Sequence, residues 1–151
     1  MKTLKPDTGG FSLMELVITM AVLSILVAIT YPSYANFLLK GKRAEGRAAL
    51  VELMQQQERY MTQNNTYFFF NTNPSGVTNP AIVPFKTYSG DSSTKPSYFL
   101  QSVTCGGTLT AKDCVKLEAT PVIPDPEAGK LELDSTGTKG CAGTNPLVCW
   151  K

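Results

Sequence analysis

From Phe11 to Tyr31 the chain runs for 21 residues with a single charge, Glu15. As a helix rising about 1.5 Å per residue, this run is about as long as the roughly 30 Å hydrocarbon core of a bilayer. The 120 residues after Tyr31 are polar on average and rich in Gly, Pro, Ser, Thr and Asn. A chain of 151 residues divided this way reads as one membrane span followed by one soluble domain. A cleaved secretory signal does not fit. Its apolar region is about 7–15 residues long with small residues after it, whereas here the run is longer and Gly9-Gly10 come before it. A plain anchor fits the length but leaves Glu15 unexplained, because a carboxylate costs roughly 2.5–3.5 kcal/mol near a bilayer centre and less near its edge.

A partner for Glu15 arises if the chain is cut between Gly10 and Phe11. Phe11 then carries a free α-amine, cationic at neutral pH with a reference pKa of about 7.7–8.0. One helical turn separates it from Glu15. The pair forms either within one chain or between the amine of one copy and Glu15 of the next. The second arrangement turns the costly charge into a register device for stacking identical helices.

The residues Gly10-Phe11-Ser12-Leu13-Met14-Glu15-Leu16 resemble the prepilin signature of the type IV pilin family: a short basic leader ending in Gly, then Phe, then Glu at the fifth mature position. Tyr31-Pro32-Ser33-Tyr34 is similar to the continuation of that helix. The resemblance implies cleavage after Gly10 by a prepilin peptidase, methylation of the Phe11 amine, and docking of Glu15 on a neighbour's amine. It further implies residence in the inner membrane until extraction into a helical fibre. The charges give no simple orientation. Lys2 and Lys5 stand against Asp7 in the leader, while Lys40, Lys42, Arg43 and Arg47 follow the span, so a positive-inside count would place the wrong end in the cytoplasm.

Pro32 interrupts the helical pattern and predicts a bend or local loosening. Helical signal then runs to about Gln63. Leu39, Gly46, Leu50, Leu53, Gln57 and Tyr60 line one face, Ala49, Met54 and Met61 widen it, and Glu45, Glu52 and Arg59 are expected opposite. This amphipathic half is expected to pack on a sheet of the same chain. Residues 64–97 form a connection punctuated by Asn, Gly, Pro and Ser, long for a plain loop. Its apolar islands, Tyr67-Phe68-Phe69-Phe70 and Ile82-Val83-Pro84-Phe85, are expected to tuck against the domain. Strands are predicted over Tyr98–Thr104, Val115–Thr120 and Lys130–Asp134, with a turn at Asp134-Ser135-Thr136-Gly137 leading into a short fourth. The alternation of Val115, Leu117 and Ala119 with Lys116, Glu118 and Thr120 marks an antiparallel sheet with one buried face.

The four cysteines, Cys105, Cys114, Cys141 and Cys149, include no C-x-x-C, and there is no histidine. Their spacing suits zinc poorly, so two disulfides in an oxidising compartment such as a periplasm are expected. That places the domain opposite to the positive-inside count. Cys105 and Cys114 sit where two predicted strands meet and are expected to pair, leaving Cys141 for Cys149. The sequence alone permits two other pairings.

The resemblance extends further. Arg43-Ala44-Glu45-Gly46-Arg47-Ala48-Ala49-Leu50, Gln57-Glu58-Arg59-Tyr60, Asn65-Thr66-Tyr67, Tyr98-Phe99-Leu100, Gly129 to Gly137 and Cys149-Trp150 look like minor pilins of the PilE type, a group that includes the ComP-like DNA-uptake pilins. One departure stands out: the family often has Cys immediately before the strand-turn's glycine, and here Ala128 takes that place. The implied fold is α+β, the type IV pilin fold. A long N-terminal helix, membrane-spanning then amphipathic, packs on an antiparallel sheet of about four strands with a disulfide-closed C-terminal loop. The implied organisation is a leader over 1–10, a fibre-core helix over 11–35 and a periplasmic head over 36–151, with sheet and C-terminal loop in 98–151.

The expected function is that of a minor pilin, with other pilin subunits, the prepilin peptidase and the inner-membrane assembly platform as partners. A pseudopilin of a type II secretion system is the alternative. Such proteins often carry calcium in place of a C-terminal disulfide loop, and Asp125 and Glu127 are too few for that. A pilus-surface DNA receptor is a further alternative. From Tyr60 onward seven lysines meet seven acids, so only a local stripe such as Lys86, Lys95, Lys112 and Lys116 would serve. No catalytic constellation, metal site or cofactor motif is expected.

Overall fold

The computed structural model describes residues 11–151; the leader, with the expected cleavage residue Gly10, lies outside them. One helix, α1, covers Leu13–Asn64. The chain divides into two compact units between Leu38 and Leu39. In the first, residues 11–38, the backbone is helical from Leu13 and remains so at Pro32.

In the second unit, the amphipathic half of α1 packs against a four-stranded antiparallel sheet in the order β3 (Tyr98–Thr104), β4 (Val115–Pro121), β5 (Leu131–Asp134) and β6 (Lys139–Cys141). Register follows the alternation of the sequence. Leu100, Ala119, Leu131 and Cys141 form one row across the inner face, and Ser102, Leu117, Leu133 and Lys139 form the next. Leu50 and Leu53 of the helix join this layer in one core. Full burial of such a leucine contributes roughly 1.5–3 kcal/mol. Gly46 sets the approach: a Cβ there would lie 2.9 Å from the Tyr98 ring and 3.2 Å from a Leu131 methyl. Burial of Tyr98 under the helix pushes its hydroxyl pKa up to about 12.

The connection is more ordered than a plain loop. It contains a small hairpin, β1 (Asn71–Thr72) against β2 (Thr78–Asn79). Phe70 bridges to Ser102, and Tyr88 to Phe99, extending the sheet beyond β3. Phe68, Phe85 and Tyr60 meet edge-on with centroids 5.6–6.0 Å apart. Ile82, by contrast, stays exposed. Gln57 holds the start of this segment, donating to the Phe68 carbonyl at 2.7 Å and accepting from the Phe68 N–H at 3.0 Å.

Two expectations about polar residues need correction. Glu45 does not face away from the core. It accepts from the hydroxyls of Ser89 at 2.7 Å and Ser97 at 2.9 Å, and so tethers the connection to the helix. Glu118 points to the outer face as its alternation requires, yet it is buried. Lys130 at 2.8 Å and Lys116 at 3.3 Å cover it, with Gln101 beside it. Burial opposes its ionisation, but the hydrogen bonds from Lys130 and Gln101 prevail and hold its pKa below the usual range.

Disulfides join Cys105 to Cys114 and Cys141 to Cys149. The C-terminal loop crosses the Asp125–Gly129 turn backbone to backbone. The N–H groups of Gly143, Thr144 and Asn145 donate to the carbonyls of Ala128, Pro126 and Glu127 at 2.9–3.0 Å. Only glycine fits this crossing at 143, where a Cβ would overlap backbone atoms of Glu127 and Ala128. Ala128 is fully buried, and the Cys149 sulfur lies 3.8 Å from its carbonyl oxygen.

Candidate functional site

Every apolar side chain from Phe11 to Tyr31 is exposed in the isolated chain, and α1 is long and apolar enough there to cross a membrane. Its polar residues are matched to an apolar setting. Thr19, Ser24 and Thr30 donate their hydroxyls back to the carbonyls of Leu16, Met20 and Leu26 at 2.8–2.9 Å, so each of these hydroxyls has an acceptor within its own helix. Glu15 lies in the first turn of α1. Among the described residues it makes no ion pair. Phe11 precedes the helix and is 83 % exposed. Both the carboxylate and the residue that would carry the new amine therefore lie open to a second chain.

The head contains a charged cluster that sequence reasoning missed. Arg43 is buried on α1, and its Nε and Nη2 donate to the two oxygens of Asp125, each at 2.7 Å. Nη2 also donates to Glu127 at 2.9 Å. Arg43 holds the Asp125 carboxyl below the usual carboxylate range, and its own pKa is raised in return. Asp125 additionally accepts from the Ala128 N–H at 3.2 Å, capping the turn that underlies the C-terminal loop. A signal was available: Leu39, Arg43, Gly46 and Leu50 step by four, three and four, so Arg43 falls on the apolar face. A buried arginine there requires an acid from elsewhere.

This cluster uses both carboxylates considered as calcium ligands. Among the described residues no group of three or more His, Cys, Asp or Glu is placed to hold a metal. The lysines suggested as a stripe are not joined into one. Lys116 is paired with Glu118 and Glu132, Lys86 sits over the Tyr88 ring at 5.1 Å, and Lys95 and Lys112 are exposed singly. A different basic site forms instead, a cleft of about 350 Å³ lined by Lys40, Arg43, Arg47, Val148 and Lys151. Arg47 Nη1 donates to the Cys149 carbonyl at 3.1 Å, tying the helix to the C-terminal loop at the cleft wall.

The family model described as type IV minor pilin ComP, DNA uptake sequence receptor, matches residues 32–142. The prokaryotic N-terminal methylation motif matches residues 6–31. The chain is similar to the type IV major pilin protein PilA of Myxococcus xanthus (strain DK1622), 26 % identical over 150 residues that cover 95 % of this chain and 68 % of that protein. A solved type IV pilin from Shewanella oneidensis aligns with a TM-score of 0.43 at 24 % identity, covering 74 % of this chain and 97 % of that one.

Proposed function

The chain belongs to the type IV minor pilin family of the ComP type, and from that premise we propose that it enters a pilus fibre as a minor subunit after cleavage at Gly10 and methylation of Phe11. Members of this family are structural proteins. The observation that carries the reading is the pairing of a methylation motif over residues 6–31 with an apolar helical segment that is wholly exposed in the single chain. Such a segment is stable only in a membrane or against other copies of itself. Glu15 pairs with the methylated amine of a neighbouring subunit and fixes the stagger between helices. The prepilin peptidase, other pilins and the inner-membrane assembly platform are its partners. The head stands on the periplasmic side before extraction, in keeping with its two disulfides.

Mass spectrometry of fibres sheared from native cells tests this. A methylated Phe11 start at trace abundance is expected. An intact Met1 start would overturn the processing scheme, and a dominant abundance would make this the main subunit instead. A processed chain confined to the inner membrane would favour the secretion pseudopilin. Against that alternative, Asp125 and Glu127 are committed to Arg43, and the C-terminal loop is closed by Cys141–Cys149.

The family description favours a second role, reception of DNA at the pilus surface. Of the four lysines considered as a stripe, Lys95 and Lys112 are the exposed ones, and two such phosphate contacts make binding weak with a shallow dependence on salt. Mobility shift of duplex DNA by the full chain at low ionic strength, abolished by added salt, is the expected result. No shift at low salt would remove DNA from its partners.

A further inference from the structure

We propose that the cleft between Lys40, Arg47 and Lys151 takes the phosphate headgroup of an anionic membrane lipid and holds the head at the membrane surface until the subunit is extracted. The inference rests on the apolar segment lying in a membrane and goes beyond the role of pilus subunit.

Lys40, Arg43 and Arg47 step by three and four along α1 and share one face, and Lys151 joins them from the end of the C-terminal loop. Arg43 is not free to bind, because Asp125 and Glu127 take its guanidinium. It neutralises the two acids nearest the cleft: Asp125 is buried behind it, and the more exposed Glu127 is paired to it at 2.9 Å. Lys40, Arg47 and Lys151 form no ion pair among the described residues. Arg47 is held in place by its bond to the Cys149 carbonyl, and that bond uses one of its five N–H groups. The remaining donors, on an anchored guanidinium beside two exposed ammonium groups, suit a phosphate better than an uncharged ligand.

The position in the chain identifies where that phosphate comes from. Tyr31 and Tyr34 are exposed at the end of the apolar run, the residue type that sits at headgroup level, and Phe37 is exposed beyond them. Lys40 follows three residues after Phe37. Whatever the arrangement of the two units, Lys40 follows Tyr31 by nine positions, a reach of at most about 30 Å. The cationic wall is therefore within reach of the lipid surface. This also gives a reason for the basic residues that follow the span on the side where a positive-inside count would not put them. Arg43 serves the fold, while Lys40 and Arg47 serve the surface.

The test uses the full chain in vesicles and its sole tryptophan, Trp150, which neighbours Lys151 in the chain. Phosphatidylcholine vesicles are compared with an equimolar mixture of phosphatidylcholine and phosphatidylglycerol, each with a trace of headgroup-spin-labelled phosphatidylcholine. Quenching of Trp150 is expected to be stronger with phosphatidylglycerol and to fall at high salt. Lys40→Gln with Arg47→Gln should weaken the response to phosphatidylglycerol by roughly fivefold per cation, about 25-fold together. The exposed single change Lys40→Gln, which leaves Arg47 tied to Cys149, should show its own share of roughly fivefold, and Lys40→Arg should restore it. Flotation with vesicles reads insertion of the apolar segment separately, so a chain that fails to float refutes the membrane premise. A chain that floats but quenches equally in both vesicles overturns the lipid site. Displacement by inorganic phosphate as effective as phosphatidylglycerol, or by short duplex DNA with the same dependence on Lys40 and Arg47, would likewise overturn it in favour of a free anion or nucleic acid.

Discussion

The substitution Asp125→Asn isolates the charge of the buried cluster from its shape. The amide introduced there would still accept from the Ala128 N–H and fill the same volume, but it would leave the Arg43 guanidinium, 4 % exposed, without its bidentate partner. Breaking a buried pair by removing one partner costs about 3–5 kcal/mol. Glu127 remains at 2.9 Å, but its side chain is 58 % exposed, so it compensates only in part and the loss should fall near the lower end of that range. For the compact unit Leu39–Lys151 this is on the order of 10 °C in Tm. The change Glu127→Gln instead should cost about 0–1 kcal/mol, as for an exposed pair. The pH dependence has a definite sign. Arg43 depresses the folded pKa of Asp125, so the pair's contribution is complete above the unfolded value of about 3.9 and is lost as pH falls through the folded value. The gap in stability between the natural chain and the Asp125→Asn variant should therefore close as pH is lowered from about 4. Thermal unfolding of the full chain in detergent, followed by Trp150 fluorescence across pH, measures it. A gap independent of pH, or a cost for Asp125→Asn no larger than for Glu127→Gln, would refute the reasoning.

Gly46→Ala drives a methyl to within 2.9 Å of the buried Tyr98 ring, and the overpacking should destabilise the head by about 1–3 kcal/mol in urea titration. Gln57→Leu removes the side-chain acceptor of the Phe68 N–H, while the Phe68 carbonyl keeps the Ser102 hydroxyl at 2.7 Å. A cost of about 1–3 kcal/mol is expected, with faster amide exchange at Phe68 read by NMR. Glu15→Gln keeps the helix but removes the charge, and should lower recovery of the chain in sheared fibres at unchanged membrane abundance, measured by quantitative immunoblotting.

Much of this fold is legible because its signals are local. The apolar run, the face formed by Leu50, Leu53 and Gln57, and the alternation of Val115, Leu117 and Ala119 each repeat with the period of the element they form. The hairpin at Asn71–Thr72 and Thr78–Asn79 is too short to show a period. Burial of Glu118 depends on Lys116 of its own strand, Gln101 of the neighbouring strand and Lys130 beside the next, which no single window reveals. Glu45 illustrates how a charge at the margin of an amphipathic helix is read as solvated until a distant segment supplies hydroxyls for it. The Arg43–Asp125 pair closes over a sequence separation of 82, and the cleft at Lys40 and Arg47 exists only once Val148 and Lys151 have folded back onto the helix. At the N-terminal segment the position is reversed. The pattern from Gly10 to Glu15 is explicit in the sequence, whereas the pairing proposed for it needs a second chain.

The distance between Arg43 and Asp125 along the chain also sets a schedule for biogenesis. Synthesis proceeds at about 5–20 residues per second, so Asp125, 82 positions on, follows Arg43 by roughly 4–16 s. Through that interval the amphipathic half of α1 has neither its sheet nor its counter-ion, while the apolar segment before it has already left the ribosome. The head cannot close from its N-terminal side. Closure waits for Asp125, then for Gly143 to cross the turn, then for Cys149 to bring its carbonyl to Arg47. A chain ending before these residues would remain a tethered, open helix with its leucines in view of proteases. Completion of the segment from Asp125 onward is thus the step that supplies the counter-ion and the loop crossing on which the closed head depends.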